Sequence, residues 1–169
     1  RGARKTLNLL FYEFLKGDVA AQFLDALVER ARAGVKVTLI VDAIGSFATR
    51  DSYFNGLRAA GGRVEWYHAL GWRTWTQMDN RTHRKVMISD GEIGFVGGAG
   101  VADCWTKAGA EGPAWRDTML RVDCSAVGAL VSVFAATWAD GSGDILWGGE
   151  QLPVRRALGL ASGFGSPAT

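Results

Sequence analysis

Hydrophobic and polar positions follow two rhythms along this chain, and the rhythms trade places repeatedly. "TLNLLFYEF" (6–14) opens as a strand. "GDVAAQFLDALVERARAG" (17–34) then switches to the helical period. Val19, Phe23, Leu27 and Ala31 share one stripe, Asp18 stands where an N-cap belongs, and Gly34 can stop the helix. "VKVTLIVDAIGS" is a nearly continuous apolar run closed by Gly-Ser, the pattern of a strand buried on both faces of a parallel sheet. A shorter helix is predicted at about 51–60, ending at Gly61-Gly62, and "RVEWYH" reads as another strand. The order β-α-β-α-β predicts an α/β fold with a mixed, largely parallel sheet flanked by helices and right-handed crossovers.

Further along, the pattern changes. Residues 69–82 read as a polar and aromatic loop. "HRKVMISD", a turn at Gly91 and "EIGFVGG" form a predicted hairpin. Residues 98–115 are a glycine-rich loop, and "RDTMLRVD" is a further strand. "SAVGALVSVFAATWAD" predicts a helix capped by Ser125, with Val127, Leu130, Val131, Phe134 and Trp138 as its apolar stripe. After Gly141 the pattern weakens. Residues 1–140 are therefore expected to form one unit, and 141–169 a linker with the possible start of another.

Composition narrows the function. A chain of 169 residues, 48% hydrophobic and 21% charged, suits one globular domain that can bury a core without disulfide staples. Its net charge of +2 argues against an extended nucleic-acid groove, although residues 81–85 make a local basic cluster. Cys104 and Cys124 lack a C-x-x-C spacing, so they argue neither disulfide nor zinc, and no metal or cofactor set stands out. No apolar run approaches the roughly 18 residues of a membrane span, and no signal-peptide pattern is visible. Of the seven tryptophans, four lie in or beside the loops flanking the histidine segment, where a ligand cleft or membrane interface could use them.

The histidine segment carries the chemistry. In a strand, residues two apart face the same way, so His83 and Lys85 share one side while Val86 and Ile88 share the other. Asp90 has the opposite parity from the histidine and sits at the turn. Attack on a phosphodiester needs a nucleophile, a cation for the phosphate oxygens and an acid for the leaving alcohol. "HRKVMISDGEIGFVGGAGVADCW", followed by "WRDT", resembles the H-x-K-x4-D signature region of the phospholipase D superfamily. Within it, the pattern is most similar to bacterial cardiolipin synthase-like phosphatidyltransferases. "LFYEFLKGDVAAQFLDALVERARAGVKVTLIVDAIGS" resembles that family's first strand, helix and second strand, so the likeness runs over about residues 5–140.

The resemblance implies a mechanism. His83 would attack phosphorus and become a phosphohistidine. Lys85 would hold a non-bridging oxygen. Asp117, in "WRDT", would accept a hydrogen bond from Nδ1–H of His83 and leave Nε2 facing phosphorus, with Glu111 or Asp103 as the next candidates. Asp90 completes the signature and counts with the catalytic set, but its turn position points to bracing the hairpin through backbone hydrogen bonds. Gly97 and Gly98 would permit close approach of backbone to the phosphate. The commoner family pattern has an asparagine where Gly100 stands, so a phosphate ligand must come from a backbone N–H, from Arg81 or from elsewhere, with Asn80 a weaker candidate.

In that family two halves meet at the active site and each contributes a histidine. His68 has no lysine two positions on and reads as a strand-end residue. A second H-x-K-x4-D half, in the same parent chain or in a homodimer partner, is thus the implied partner. The implied function is phosphatidyl transfer or phosphodiester cleavage on phospholipids without cofactor or metal. Its implied setting is a bacterial cytoplasmic protein peripherally bound to the membrane. The alternatives are a single-motif homodimeric phosphodiesterase or nuclease, and a non-catalytic lipid-binding half, the latter motivated by Gly100.

Overall fold

The computed structural model describes residues 2–68, 82–106, 116–123 and 125–146. Strands β1 (Thr6–Phe11), β2 (Lys36–Asp42) and β3 (Arg63–Tyr67) are linked by helix α1 (Asp18–Arg32) and by a 3-10 turn that runs into α2 (Asn55–Ala59). The hairpin β4 (Lys85–Ser89) and β5 (Ile93–Val96) follows, then β6 (Leu120–Asp123) and α3 (Ala126–Ser142). The sheet order is β3-β2-β1-β4-β5-β6. Pairs β1–β2 and β2–β3 are parallel, whereas β1–β4, β4–β5 and β5–β6 are antiparallel. The sheet is mixed, as expected, but its parallel character is confined to one half. Strand β4 starts at the edge where β1 and β3 end, with Lys85 opposite Phe11, so it runs back down the sheet.

Two apolar layers hold the helices to the sheet. Leu7, Leu9, Phe11, Val37, Leu39 and Val41 face Leu27 and Ala31 of α1 and Leu57 of α2. On the other side, Leu10, Ile40, Val86 and Ile88 pack against Val127, Val131, Phe134 and Trp138 of α3. β1 and β2 are buried on both faces, apart from Lys36, which is why their sequences read as unbroken runs rather than alternations. Each fully buried side chain such as Phe134 contributes about 2 kcal/mol. Leu146 still belongs to the second layer, so the folded unit reaches past residue 140.

Helix ends differ from the expected caps. Asp18 is the first residue of α1 rather than its cap, and Gly17 stands at the cap position. The carboxylate that accepts from the free amides of Asp18 and Val19 belongs to Asp103, at 3.2 and 2.8 Å. Gly17 has no side chain because a Cβ there would lie 2.8 Å from the Asp103 carboxyl carbon. Ser125 holds the cap position of α3 without a side-chain cap bond. Gly34, at φ +86°, ends α1 as predicted.

Asp90 fixes the register between β1 and the hairpin. Its Oδ1 accepts from the backbone N–H of Lys5 at 2.7 Å, Thr6 at 2.9 Å and Arg4 at 3.1 Å, and Oδ2 accepts from Arg4 at 2.9 Å. Ser89 pairs with Leu7, at the far end of β4 from Lys85. Five residues at about 3.3 Å each put Asp90 roughly 16 Å from Lys85 along the strand. The bracing role read from parity is the observed one, and counting Asp90 as catalytic is corrected: its lone pairs are spent on β1.

Burial alone would raise the Asp90 carboxyl, but the amides of Thr6, Lys5 and Arg4, with the Lys5 charge, hold it below the ordinary 3.8. A depressed folded value contributes stability above the unfolded value and loses it as pH falls through the folded one. Asp90→Asn should therefore cost about 2 kcal/mol at neutral pH. Denaturant titrations across acid pH should show a flatter decline for the variant; parallel wild-type and variant curves would contradict this role.

Candidate active site

The turn after β2 builds the floor of the site. Asp42 Oδ1 accepts from the N–H groups of Ile44 and Gly45 at 2.9 and 3.1 Å, closing the Asp-x-x-Gly-Ser turn. A side chain at Gly45 would collide with the Tyr12 carbonyl. Ser46 Oγ, fully buried, donates to that carbonyl at 3.1 Å and accepts from Phe14 N–H at 2.9 Å. Thr49 repeats the clamp, donating to Phe14 O and accepting from Lys16 N–H. The segment 12–16 thus leaves β1 on a fixed path. Tyr12 N–H donates to Arg84 O, and its ring lies 4.7 Å from the His83 ring, tilted by 54°.

His83 is exposed just ahead of β4, while Lys85 is 4% exposed beneath it. Lys85 Nζ lies 3.2 Å from His83 Nδ1, 3.0 Å from Nε2 and 3.2 Å from the His83 carbonyl oxygen. It also sits 5.2 Å from the centre of the Tyr12 ring, within cation–π range. The histidine and the cation therefore converge on one point, as strand parity predicted. Burial pushes the Lys85 ammonium below its ordinary 10.5, and the charges of Glu13 and Asp117 work against that fall.

Asp117 is near this point but makes a different bond from the expected one. Its Oδ2 accepts from Gly98 N–H and Ala99 N–H, both at 2.8 Å, and no hydrogen bond joins it to His83. The Ala99 amide, against a small burial penalty, and the amides of Gly98 and Thr118 hold the Asp117 carboxyl low, with Lys85 adding its charge. The glycines make room for this carboxylate. A Cβ on Gly98 would lie 2.7 Å from Asp117 Oδ1, and one on Gly97 2.9 Å from Met119 Sδ. The Gly98 amide expected to face a phosphate is thus occupied by Asp117.

Two residues that sequence reasoning missed complete the wall. Glu13 Oε2 accepts from Trp105 Nε1 at 2.8 Å. A Cβ on Gly100 would stand 2.8 Å from Glu13 Cβ and 2.9 Å from its Oε2. Beside Lys85 opens a recess of about 220 Å³ lined by Phe23, Met87, Ala99, Gly100 and Met119. Both missed residues, Tyr12 and Glu13, directly follow β1 at the carboxyl edge of the parallel strands. Ligand sites of open α/β sheets gather at that edge, and this signal was available in the sequence.

Asp103, a reserve candidate, caps α1 instead. His68 closes β3, 8% exposed, stacked on Tyr67 at 4.0 Å with Nε2 3.3 Å from Asp140 Oδ2. Three strand spacings of about 4.8 Å separate β3 from β4, so His68 and His83 stand roughly 14 Å apart across the sheet. Asn80, Arg81 and Glu111 lie outside the described residues.

Solved structures share this architecture. A phospholipase D family member, Nuc from Salmonella typhimurium, superposes with a TM-score of 0.59 at 16% identity, covering 83% of this chain and 82% of its own. NucT from Helicobacter pylori gives 0.61 at 18% identity, covering 82% of each chain. The fold is that of the phospholipase D class. A family model described as "Cardiolipin synthase, PLD-like domain" matches residues 1–109, and the chain belongs to that family. Major cardiolipin synthase ClsA of Bacillus subtilis is 33% identical over 141 residues, which are 83% of this chain and 29% of that protein. Cardiolipin synthase A of Pseudomonas fluorescens is 32% identical over 154 residues, 90% of this chain and 31% of that protein. The chain thus spans less than a third of the length of these two cardiolipin synthases.

Asp117→Asn should loosen the 98–99 loop, because a neutral amide accepts from N–H groups more weakly than a carboxylate. Amide hydrogen exchange at Gly98 and Ala99 should speed up about tenfold. Unchanged exchange at those two amides would mean that the Asp117 carboxylate serves another partner.

Proposed function

We propose that, in the full-length protein, this half-domain supplies the nucleophile for phosphatidyl transfer between phospholipids, or for hydrolysis of one. The observation that supports this most is the convergence of exposed His83 and buried Lys85 Nζ within 3.2 Å. A ring nitrogen of His83 donates its lone pair to phosphorus as the bond to the leaving alcohol breaks. Lys85 holds a non-bridging oxygen whose charge grows in that transition state. An acid then protonates the alkoxide; an incoming alcohol or water returns a proton to the same group as it displaces His83, which leaves as neutral imidazole.

His68 is buried against Asp140, roughly three strands away, so the acid comes from elsewhere. A second H-x-K-x4-D half, reached through residues beyond Leu146 or supplied by another copy, fits that need. Asp117 then acts on the histidine indirectly, holding the Gly98–Ala99 loop and adding negative charge near Lys85. Among the described residues no helix is long and apolar enough to cross a membrane. Peripheral contact with the cytoplasmic membrane surface is the setting proposed for a substrate that lives in a bilayer.

The test is direct. Full-length protein mixed with phosphatidylglycerol vesicles should acquire a phosphatidyl adduct by intact mass, and His83→Ala should not. Turnover in that variant should fall by about 10⁴-fold with folding intact. Activity in the variant near the wild-type level would end the nucleophile assignment. Because burial lowers Lys85, the alkaline limb of kcat/KM should fall below the ordinary lysine value of 10.5, where the ammonium is lost. A profile flat to that pH would exclude Lys85 as the required cation.

A further inference from the structure

Large apolar side chains left in water gather on one edge of the sheet. Among the described residues four stand out: Phe47 at 80% exposure, Leu120 at 60%, Ile145 at 56% and Met119 at 50%. Phe47 follows β2, in the turn that Asp42 closes beside the Tyr12 carbonyl. Leu120 opens β6 and pairs with Val96, which pairs with Val86, the neighbour of Lys85. Met119 precedes it. Ile145 lies elsewhere, after Asp144, whose partner Arg63 opens β3 at the opposite edge. Four strand spacings, roughly 19 Å, separate β2 from β6. One exposed apolar residue is ordinary, but three on the edge that carries His83 point to a surface that does not meet bulk water.

Phe47 is held outward by its neighbours. Ser46 and Thr49 on either side of it are buried and bonded to the 12–16 segment. Within the turn, Phe47 N–H donates to Ile44 O at 3.2 Å and Thr49 N–H to Ser46 O at 2.8 Å. The ring cannot turn inward without breaking this clamp. Beside it opens a hollow of about 420 Å³ that brings together Ala48, Lys16 and Arg50, with both cations exposed. The acid next to Arg50, Asp51, is tied to Arg58 and to the Trp66 indole at 2.6 Å each. Asp25 and Asp103 act on the Tyr53 hydroxyl, which also borders the hollow. A fixed aromatic ring flanked by two long cationic side chains suits a lipid interface, where the ring sits at headgroup level and the cations reach phosphates. We propose that the 43–50 turn docks the protein on an anionic phospholipid surface: Phe47 enters the headgroup region, Lys16 and Arg50 meet lipid phosphates, and Met119 and Leu120 face the same surface. This rests on the reading that the substrate lies in a bilayer, and docking by this edge would bring it to His83 without leaving the bilayer. The second half needed by that reading must reach His83 ahead of β4, two strand spacings or roughly 10 Å from β2, and must leave the Phe47 turn uncovered.

The experiment places a fluorine probe, trifluoromethylphenylalanine, at position 47 of the full-length protein in phosphatidylglycerol nanodiscs. A second sample carries the probe in place of Arg32, the exposed last residue of α1 on the opposite edge. Fluorine NMR then reads relaxation by a nitroxide-bearing lipid and by a water-soluble gadolinium chelate. The signal from position 47 should answer to the lipid nitroxide, and that from position 32 to the chelate. Lys16→Gln combined with Arg50→Gln should lower the ratio of lipid-contacting to free signal at position 47 roughly thirtyfold, the scale of two cations at an anionic surface. Phosphatidylcholine nanodiscs should lower it in the same direction. Three results would overturn the proposal: position 47 answering to the chelate as strongly as position 32, position 47 shielded from both agents because the second half covers the turn, or a ratio unmoved by the double variant and by phosphatidylcholine. The readout needs no turnover, so it is separate from the transferase reading. Lipid contact without turnover would leave the docking surface standing, and turnover without lipid contact would leave only the transferase reading.

Discussion

Strand β1 is the seam on which everything else hangs. It is paired parallel to β2 on one side and antiparallel to β4 on the other, and it is buried on both faces. A slip of one residue would turn Leu7, Leu9 and Phe11 from one layer into the other. Both ends are tied by side chains from distant segments. Asp90 holds the amides at its start, and Ser46 with Thr49 holds the chain just beyond its end. Fixing that strand places Tyr12 against His83 and Glu13 against Gly100, where the Trp105 indole also holds the Glu13 carboxylate.

The glycine-rich stretch at 97–100 has a meaning different from the one its composition invites. Its glycines make room for carboxylates: Asp117 lies against Gly98, and Glu13 lies against Gly100. The site is therefore a buried ammonium with the charges of Glu13 and Asp117 acting on it and an exposed imidazole beside it. The two carboxylates work against the fall that burial imposes on the Lys85 ammonium.

Much of the fold was legible because its signals are local. The unbroken apolar runs of β1 and β2, the stripe on α3 and the stop at Gly34 are each written within one segment. That His83 and Lys85 share a face was legible for the same reason, since parity within a strand needs no knowledge of neighbours. What escaped were relations between segments. The antiparallel half of the sheet depends on where β4 enters, not on its composition. The cap of α1 comes from Asp103 rather than from adjacent Asp18, and Asp117 answers two loop amides rather than the histidine. Glu13 finds its place only against Gly100, in a segment far along the chain.

The cap of α1 carries a consequence for how the domain holds together. A helix of this length is marginal by itself in water, and the partner for its first free amides lies 84 and 85 residues downstream. The first turn of α1 is therefore completed by one of the longest-range contacts in the domain. The same contact ties the helix start to the segment that carries Gly100, so whatever loosens one loosens the other.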